Sequence, residues 1–210
     1  MKFLFTPLLL LLVFPVMGQI KALTDTGDQV VLYSDGTWKY VNRDTIKEAE
    51  IPTNPQEFKK TANADFLLKS TRIDVGVWLD PKSWTFNPRN DNEAAEYELD
   101  HVNGSLYGLL LTERLDLPLT TLGNIAVQNA REAAPDIEVT HKEFRMVNGQ
   151  KILMMRMTGT IQDIRFSYYG YYFTANGGAT QFLVYADEKF MEENLPMVEE
   201  LLNGFVSLAP

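Results

Sequence analysis

Acid–base or nucleophilic chemistry in this chain would have to run on two histidines, His101 and His141, because there is no cysteine. Zero cysteine excludes thiol catalysis, cysteinyl zinc sites and iron–sulfur clusters together. A Ser–His–Asp triad needs an activated serine, and no Gly-x-Ser-x-Gly elbow occurs. Neither Gly-x-Gly-x-x-Gly nor Gly-x-x-x-x-Gly-Lys-Ser/Thr is present to cradle a phosphate. Glu96, Glu98 and Asp100 recur at period two, as a set of general acid/base carboxylates would. With no facing partner in the sequence, they read as a solvated or edge-protecting strand face. His141 stands two residues before Glu143, and hairpin pairing sets Arg156 opposite it, which makes an ordinary cross-strand polar cluster. The oxygen-rich stretch Asn87 to Glu93 lacks the ligand spacing of a calcium loop and holds Arg89 within it, so it reads as a solvated turn. No metal and no cofactor is expected.

Aromatic residues carry the stronger signal. Phe166-Ser-Tyr168-Tyr169-Gly-Tyr171-Tyr172-Phe173 puts rings on both faces of one strand, with Phe182 and Tyr185 on its partner. Tyrosine offers apolar area with a polar tip, which suits an interface. A strand buried on one side would present Tyr169, Tyr171 and Phe173, or else Tyr168 and Tyr172, to a partner. A helix over the second face would turn the whole set into core. Gly170 would let a ligand or helix approach closely.

The elements that must position these residues follow from periodicity and punctuation. Ile73, Val75, Val77 and Leu79 alternate into a strand ended by Asp80-Pro81. Asn103-Gly104 joins two strands so that His101 pairs with Leu106, Leu99 with Gly108 and Tyr97 with Leu110. Tyr97, Leu99 and His101 then share an apolar face, which makes His101 a core histidine. Glu96, Glu98 and Asp100 lie beside Tyr107, Leu109 and Leu111 on the other face. A helix starts near Thr120 and stops at Pro135, and its stripe runs through Leu122, Ile125, Ala126 and Ala130. Hairpins follow around Asn148-Gly149 and Asn176-Gly177-Gly178. A closing helix carries Met191, Leu195, Val198, Leu201, Leu202 and Phe205, with Asn194 as its cap. Strands, helix, hairpins and helix in that order predict an α+β sandwich, with a mainly antiparallel sheet and packed helices.

Upstream, Val30–Tyr33 and Thr37–Val41 flank a Ser34-Asp35-Gly36 turn and form a short β-hairpin element over 19–43. Residues 44–70 read as a linker with a short helix over Gln56–Lys69, and the sandwich as 71–210. Lys2, the apolar run Phe3–Val16 and the small Gly18 read as a signal peptide over 1–18, broken by Pro7 and Pro15 and too short to span a bilayer. The mature chain is expected to be exported, to the periplasm or beyond, and soluble. The formal net charge of −9, with no Lys or Arg run, disfavours nucleic acid and anionic membranes.

One stretch and one element order carry resemblances. Asp35-Gly36-Thr37-Trp38 resembles an N-terminal element of many exported bacterial proteins. The strand ending in Asp80-Pro81 before Trp84, the Leu/Ala-rich helix, the Asn148-Gly149 hairpin, the aromatic hairpin with Gly177-Gly178 and the closing Glu199–Phe205 segment together resemble the PsbP-like family of extrinsic photosystem subunits and related exported proteins. That resemblance implies a module that binds a protein or envelope partner and has no common catalytic centre. The competing expectation is a hydrolase using the strand carboxylates with His101. It requires His101 or His141 within hydrogen-bond reach of Asp or Glu inside a concave pocket.

Overall fold

The computed structural model describes residues 20–24, 29–34, 36–41, 50–88, 94–175 and 177–208. The expected signal peptide at 1–18, Asp35, most of the Asn87–Glu93 turn and Asn176 lie outside them. Near the start, β1 (Ile20–Leu23), β2 (Gln29–Leu32) and β3 (Trp38–Tyr40) form a three-stranded antiparallel meander.

The main sheet has eight strands, in the order β4 (Thr53–Phe58), β10 (Glu138–Val147), β11 (Gln150–Ile161), β12 (Ile164–Ala175), β13 (Gly178–Asp187), β9 (Tyr107–Glu113), β8 (Ala95–His101) and β7 (Trp84–Pro88). Every neighbouring pair is antiparallel except β4 against β10, which is parallel. The sheet is thus mainly antiparallel, as expected, and is made mixed by one parallel edge strand. A second sheet of β14 (Phe205–Ser207), β6 (Val75–Leu79) and β5 (Phe66–Lys69) packs with α2 (Glu188–Glu193) and α3 (Leu195–Leu202) over one face. The helix α1 (Leu119–Ala133) lies on the other face, against β11 and β12. The molecule is mixed α+β, as its element order predicts.

The hairpin registers follow the punctuation. Tyr97 pairs with Leu110, Leu99 with Gly108 and His141 with Arg156, as the Asn-Gly turns dictate. Asn148 and Gly149 both take positive φ, the geometry of a two-residue hairpin turn.

Three expectations are corrected. The helix placed over Gln56–Lys69 is instead β4 and β5, since that stretch closes two sheet edges and its polar residues face solvent on an edge strand. The single closing helix breaks at Asn194 into α2 and α3, and Phe205 opens β14 rather than ending a helix. Asn194 does sit at the N-cap position of α3, but its side chain leaves α3 uncapped and donates instead to Phe190 O in the last turn of α2, whose start Asp187 caps. Glu96 leaves the face it was expected to share with Glu98 and Asp100. A register shift between Ala95 and Tyr97 gives β8 an extra residue there and turns Glu96 inward.

Candidate interaction surface and candidate site residues

The centre of the main sheet decides where the aromatics go. Tyr169, Tyr171 and Phe173 of β12 are 2%, 1% and 7% exposed, because α2, α3 and the second sheet cover their face. The exposed platform expected at these three residues does not exist; they are core. Tyr172, on the opposite face, is fully buried beneath α1 with Leu122, Leu153 and Met155. The side-chain-free Gly170 answers to packing as well, since a Cβ there would stand 2.6 Å from Leu183 Cδ2.

Tyr169 and Tyr171 take part in a buried polar network. Arg145, on β10, donates from Nε to Glu143 at 2.5 Å and from Nη1 to the hydroxyls of Tyr169 and Tyr171 and to Glu199 of α3. Tyr169 in turn donates to Glu199 at 2.6 Å, and Tyr171 donates to Asn203 at 2.8 Å. Burial raises the pKa of the Tyr171 phenol, pushing it up to about 12, against the pull of Arg145. For Glu143, burial alone would raise its pKa, but hydrogen bonds from Arg145, Asn54 and His141 outweigh it and hold the carboxyl below its ordinary range. A guanidinium paired and hydrogen-bonded in this way fixes α3 over the sheet.

The histidines do not assemble a catalytic pair. His101 is buried against Trp84, edge to face at 5.0 Å, on the apolar face predicted for it. It borders a cleft of about 310 Å³ with Asp80, Ser83 and Glu200, but its Nδ1 is bonded to Asn103 Oδ1 at 2.6 Å. Ser83 donates to Asp80 instead. His141 stands 3.3 Å from Glu143, yet it is half exposed and does not line that cleft. Contact with a carboxylate and a place in a cleft thus fall to different histidines.

Glu96 is buried against hydroxyls. Ser70, Thr71 and Thr112 donate to its two oxygens, joined by the backbone N–H of Thr71 at 2.6 Å. Burial pushes its pKa up, and these donors together pull it below the ordinary carboxylate value. It locks the loop before β6 onto β8 and β9.

The half-open part of the main sheet is the face that α1 leaves uncovered on β8, β9 and β13. Register sets Asp100 opposite Tyr107, Tyr107 opposite Tyr185 and Tyr185 opposite Tyr168, so three tyrosines and a carboxylate occupy one rung. Tyr107 stacks on Tyr185 at 5.5 Å, and Tyr185 leans on Tyr168 at 6.0 Å. Tyr107 is 40% exposed, while Tyr168, Tyr185, Glu98 and Asp100 are half-buried. Burial raises the Tyr185 pKa, and the charges of Glu98 and Asp100 add to it, so both carboxylates act directly on the ring system. Placing Glu98 and Asp100 beside Tyr107 was within reach of the sequence. The missing signal was which neighbours of Tyr107 a helix would cover.

A solution structure of cyanobacterial PsbP (CyanoP) from Synechocystis has this arrangement of sheet and helices. It superposes with a TM-score of 0.52 at 11% identity, covering 68% of this chain and 91% of that one. The fold is PsbP-like. At that identity the likeness extends to the fold alone. A crystal structure of a Pseudomonas aeruginosa protein of unknown function covers 69% of this chain and 98% of its own at 9% identity, with a TM-score of 0.45 that is too low to argue from. No protein-family model matches the chain, and no curated protein matches it.

Proposed function

We propose that the chain is an exported, soluble, non-catalytic module that binds a protein partner through the tyrosine rung Tyr107–Tyr185–Tyr168. The observation that supports this reading is the rung itself, three phenol rings in line ending at Asp100 with Glu98 beside it. The surface is an open sheet face away from the His101 cleft, which suits an extended chain better than a small molecule. Its charges are carboxylates and its rings offer π faces and phenol oxygens, so the partner segment is basic. An Arg or Lys laid there gains a cation–π contact of roughly 0.5–2 kcal/mol together with a carboxylate pairing. The PsbP-like fold is compatible with such a module. Among the described residues no helix is long and apolar enough to cross a membrane.

The test is titration of the protein with an Arg/Lys octapeptide and with its Glu counterpart, following the ring NMR signals of Tyr107, Tyr168 and Tyr185. The basic peptide should move all three and the acidic one none, and the combined change Tyr107→Ala with Asp100→Asn should abolish the response. The stability of that variant should shift by only about 0.5 kcal/mol per site, since both side chains are partly exposed. An equal response to both peptides, or none to either, rejects the reading.

A further inference from the structure

On the opposite side of the core from α1, a second cleft of about 360 Å³ opens between the loop before β6, the end of β9 and the tip of the β12–β13 hairpin. Arg72, Asp74, Arg114 and Ile73 form its walls, and Phe173 and Gly178 line it from the hairpin. In a chain of net charge −9, this is a place where two guanidiniums border one cavity. Neither arginine swings freely. Arg72 donates from Nη1 to Thr112 O at 3.2 Å, and Arg114 donates from Nε to Arg72 O at 3.0 Å. Among the described residues the two terminal nitrogens of Arg114 have no hydrogen-bond partner. Its fork is therefore held at Nε and vacant across its two terminal nitrogens, the arrangement that takes a carboxylate end-on.

The rest of the cleft limits what the anion carries. Ile73 and the core ring of Phe173 offer apolar contact, so the ligand has an apolar body beside its charge. Gly178 keeps that wall thin, because a Cβ there would press within 3.0 Å of Ile73. Asp74 adds a negative charge to the rim, which disfavours dianions such as inorganic phosphate. We infer that the cleft between Arg72 and Arg114 binds a monocarboxylate with an apolar or aromatic body. Such a group is presented either by a free organic acid or by the C-terminus of a peptide ending in an apolar residue. Phosphate lacks the apolar body and carries the extra charge that Asp74 opposes.

The experiment titrates the full chain with 3-phenylpropionate, with its amide, with inorganic phosphate, and with a tripeptide ending in Phe as free acid and as C-terminal amide. Binding is read from the Ile73 methyl and Arg114 Nε–H NMR signals. The expected result is that one or both carboxylates shift these signals saturably, while both amides and phosphate do not. Arg114→Gln, an exposed position, should weaken binding at least tenfold and leave the thermal midpoint unchanged. A response to phenylpropionate alone assigns the site to free acids, and a response to the peptide acid alone assigns it to chain termini. Equal binding of the amides, competition by phosphate at equal concentration, wild-type affinity in Arg114→Gln, or no response at all overturns the inference.

Discussion

Individual residues here show how a buried charge is decided by its donors. Glu96 and Glu143 are both buried carboxylates, and in each the hydrogen bonds to the ionised form outweigh the cost of burial. Their folded-state pKa values lie below the ordinary glutamate value of about 4.3. They bind protons less readily in the folded chain than in the unfolded one. The stability they confer is therefore complete above roughly pH 5 and is lost as the pH falls through their folded values. Thermal midpoints should drop steeply between about pH 5 and pH 3. Glu96→Gln should start from a lower midpoint at neutral pH and show a shallower acid slope. The Glu143 contribution remains in that variant, so some slope persists. A Glu96→Gln slope equal to that of the parent would show that the Ser70, Thr71 and Thr112 donors do not favour the ionised form.

Among the elements, the β10–β11 turn does more than reverse the chain. Asn148 takes φ 47°, and its amide nitrogen donates to Asn203 O at 2.8 Å and to Phe205 O at 2.7 Å. Its Oδ1 accepts from Lys60 N, and its own N–H donates to Phe58 O. One side chain thus ties the turn to the α3–β14 junction and to the end of β4. Asn148→Gly keeps the left-handed backbone accessible and removes only the side chain. Chemical denaturation should then show a loss of roughly 1–3 kcal/mol, the range for buried groups deprived of their partners. A loss of a few tenths would mean that the turn geometry alone mattered. The Asn-Gly dipeptide announced this hairpin in the sequence, but nothing there announced its second role, because the partners lie 55 and 57 residues away. The same divide runs through the rest of the fold. Hairpins and α1 were legible, since alternation and the 3.6-residue stripe are local. The strand β4 was not, since it contains Pro55 and buries only Phe58, so it has no alternation to read. On β12, alternation separated Tyr169, Tyr171 and Phe173 from Phe166, Tyr168 and Tyr172, but which set met solvent depended on where α1, α2 and α3 landed. The helices cover most of both sets and leave Tyr168 at the margin, so the partly open tyrosines run from it to Tyr185 on β13 and Tyr107 on β9.

For the whole molecule, the sheet order predicts where the chain can be cut. The small β1–β3 meander is of a size that does not fold alone, and it meets α1 through Gln29 and Gln128, whose side chains lie 3.2 Å apart. Removing residues before 50 should leave a cooperatively folding chain whose thermal midpoint falls by only a few degrees, since a change of about 1 kcal/mol moves a domain of this size by roughly 2–4 °C. Removing residues before 71 is a different operation, although the linker-like composition of 44–70 makes it look equally harmless. It takes β4 from the edge of β10 and β5 from the edge of β6, and with them the buried Phe58, Ala64 and Leu68. The backbone bonds from Phe144 N to Pro52 O and from Asn148 N to Phe58 O go as well, and Tyr97 loses Lys69 O as acceptor. Deleting one large core side chain costs about 2–5 kcal/mol, and a domain has only about 5–15 kcal/mol in total. The shorter chain should therefore unfold or aggregate through its two newly bared strand edges. Circular dichroism melts and size-exclusion profiles of the two truncations distinguish the outcomes. Equal midpoints in both would mean that β4 and β5 are appendages and that the core closes without them.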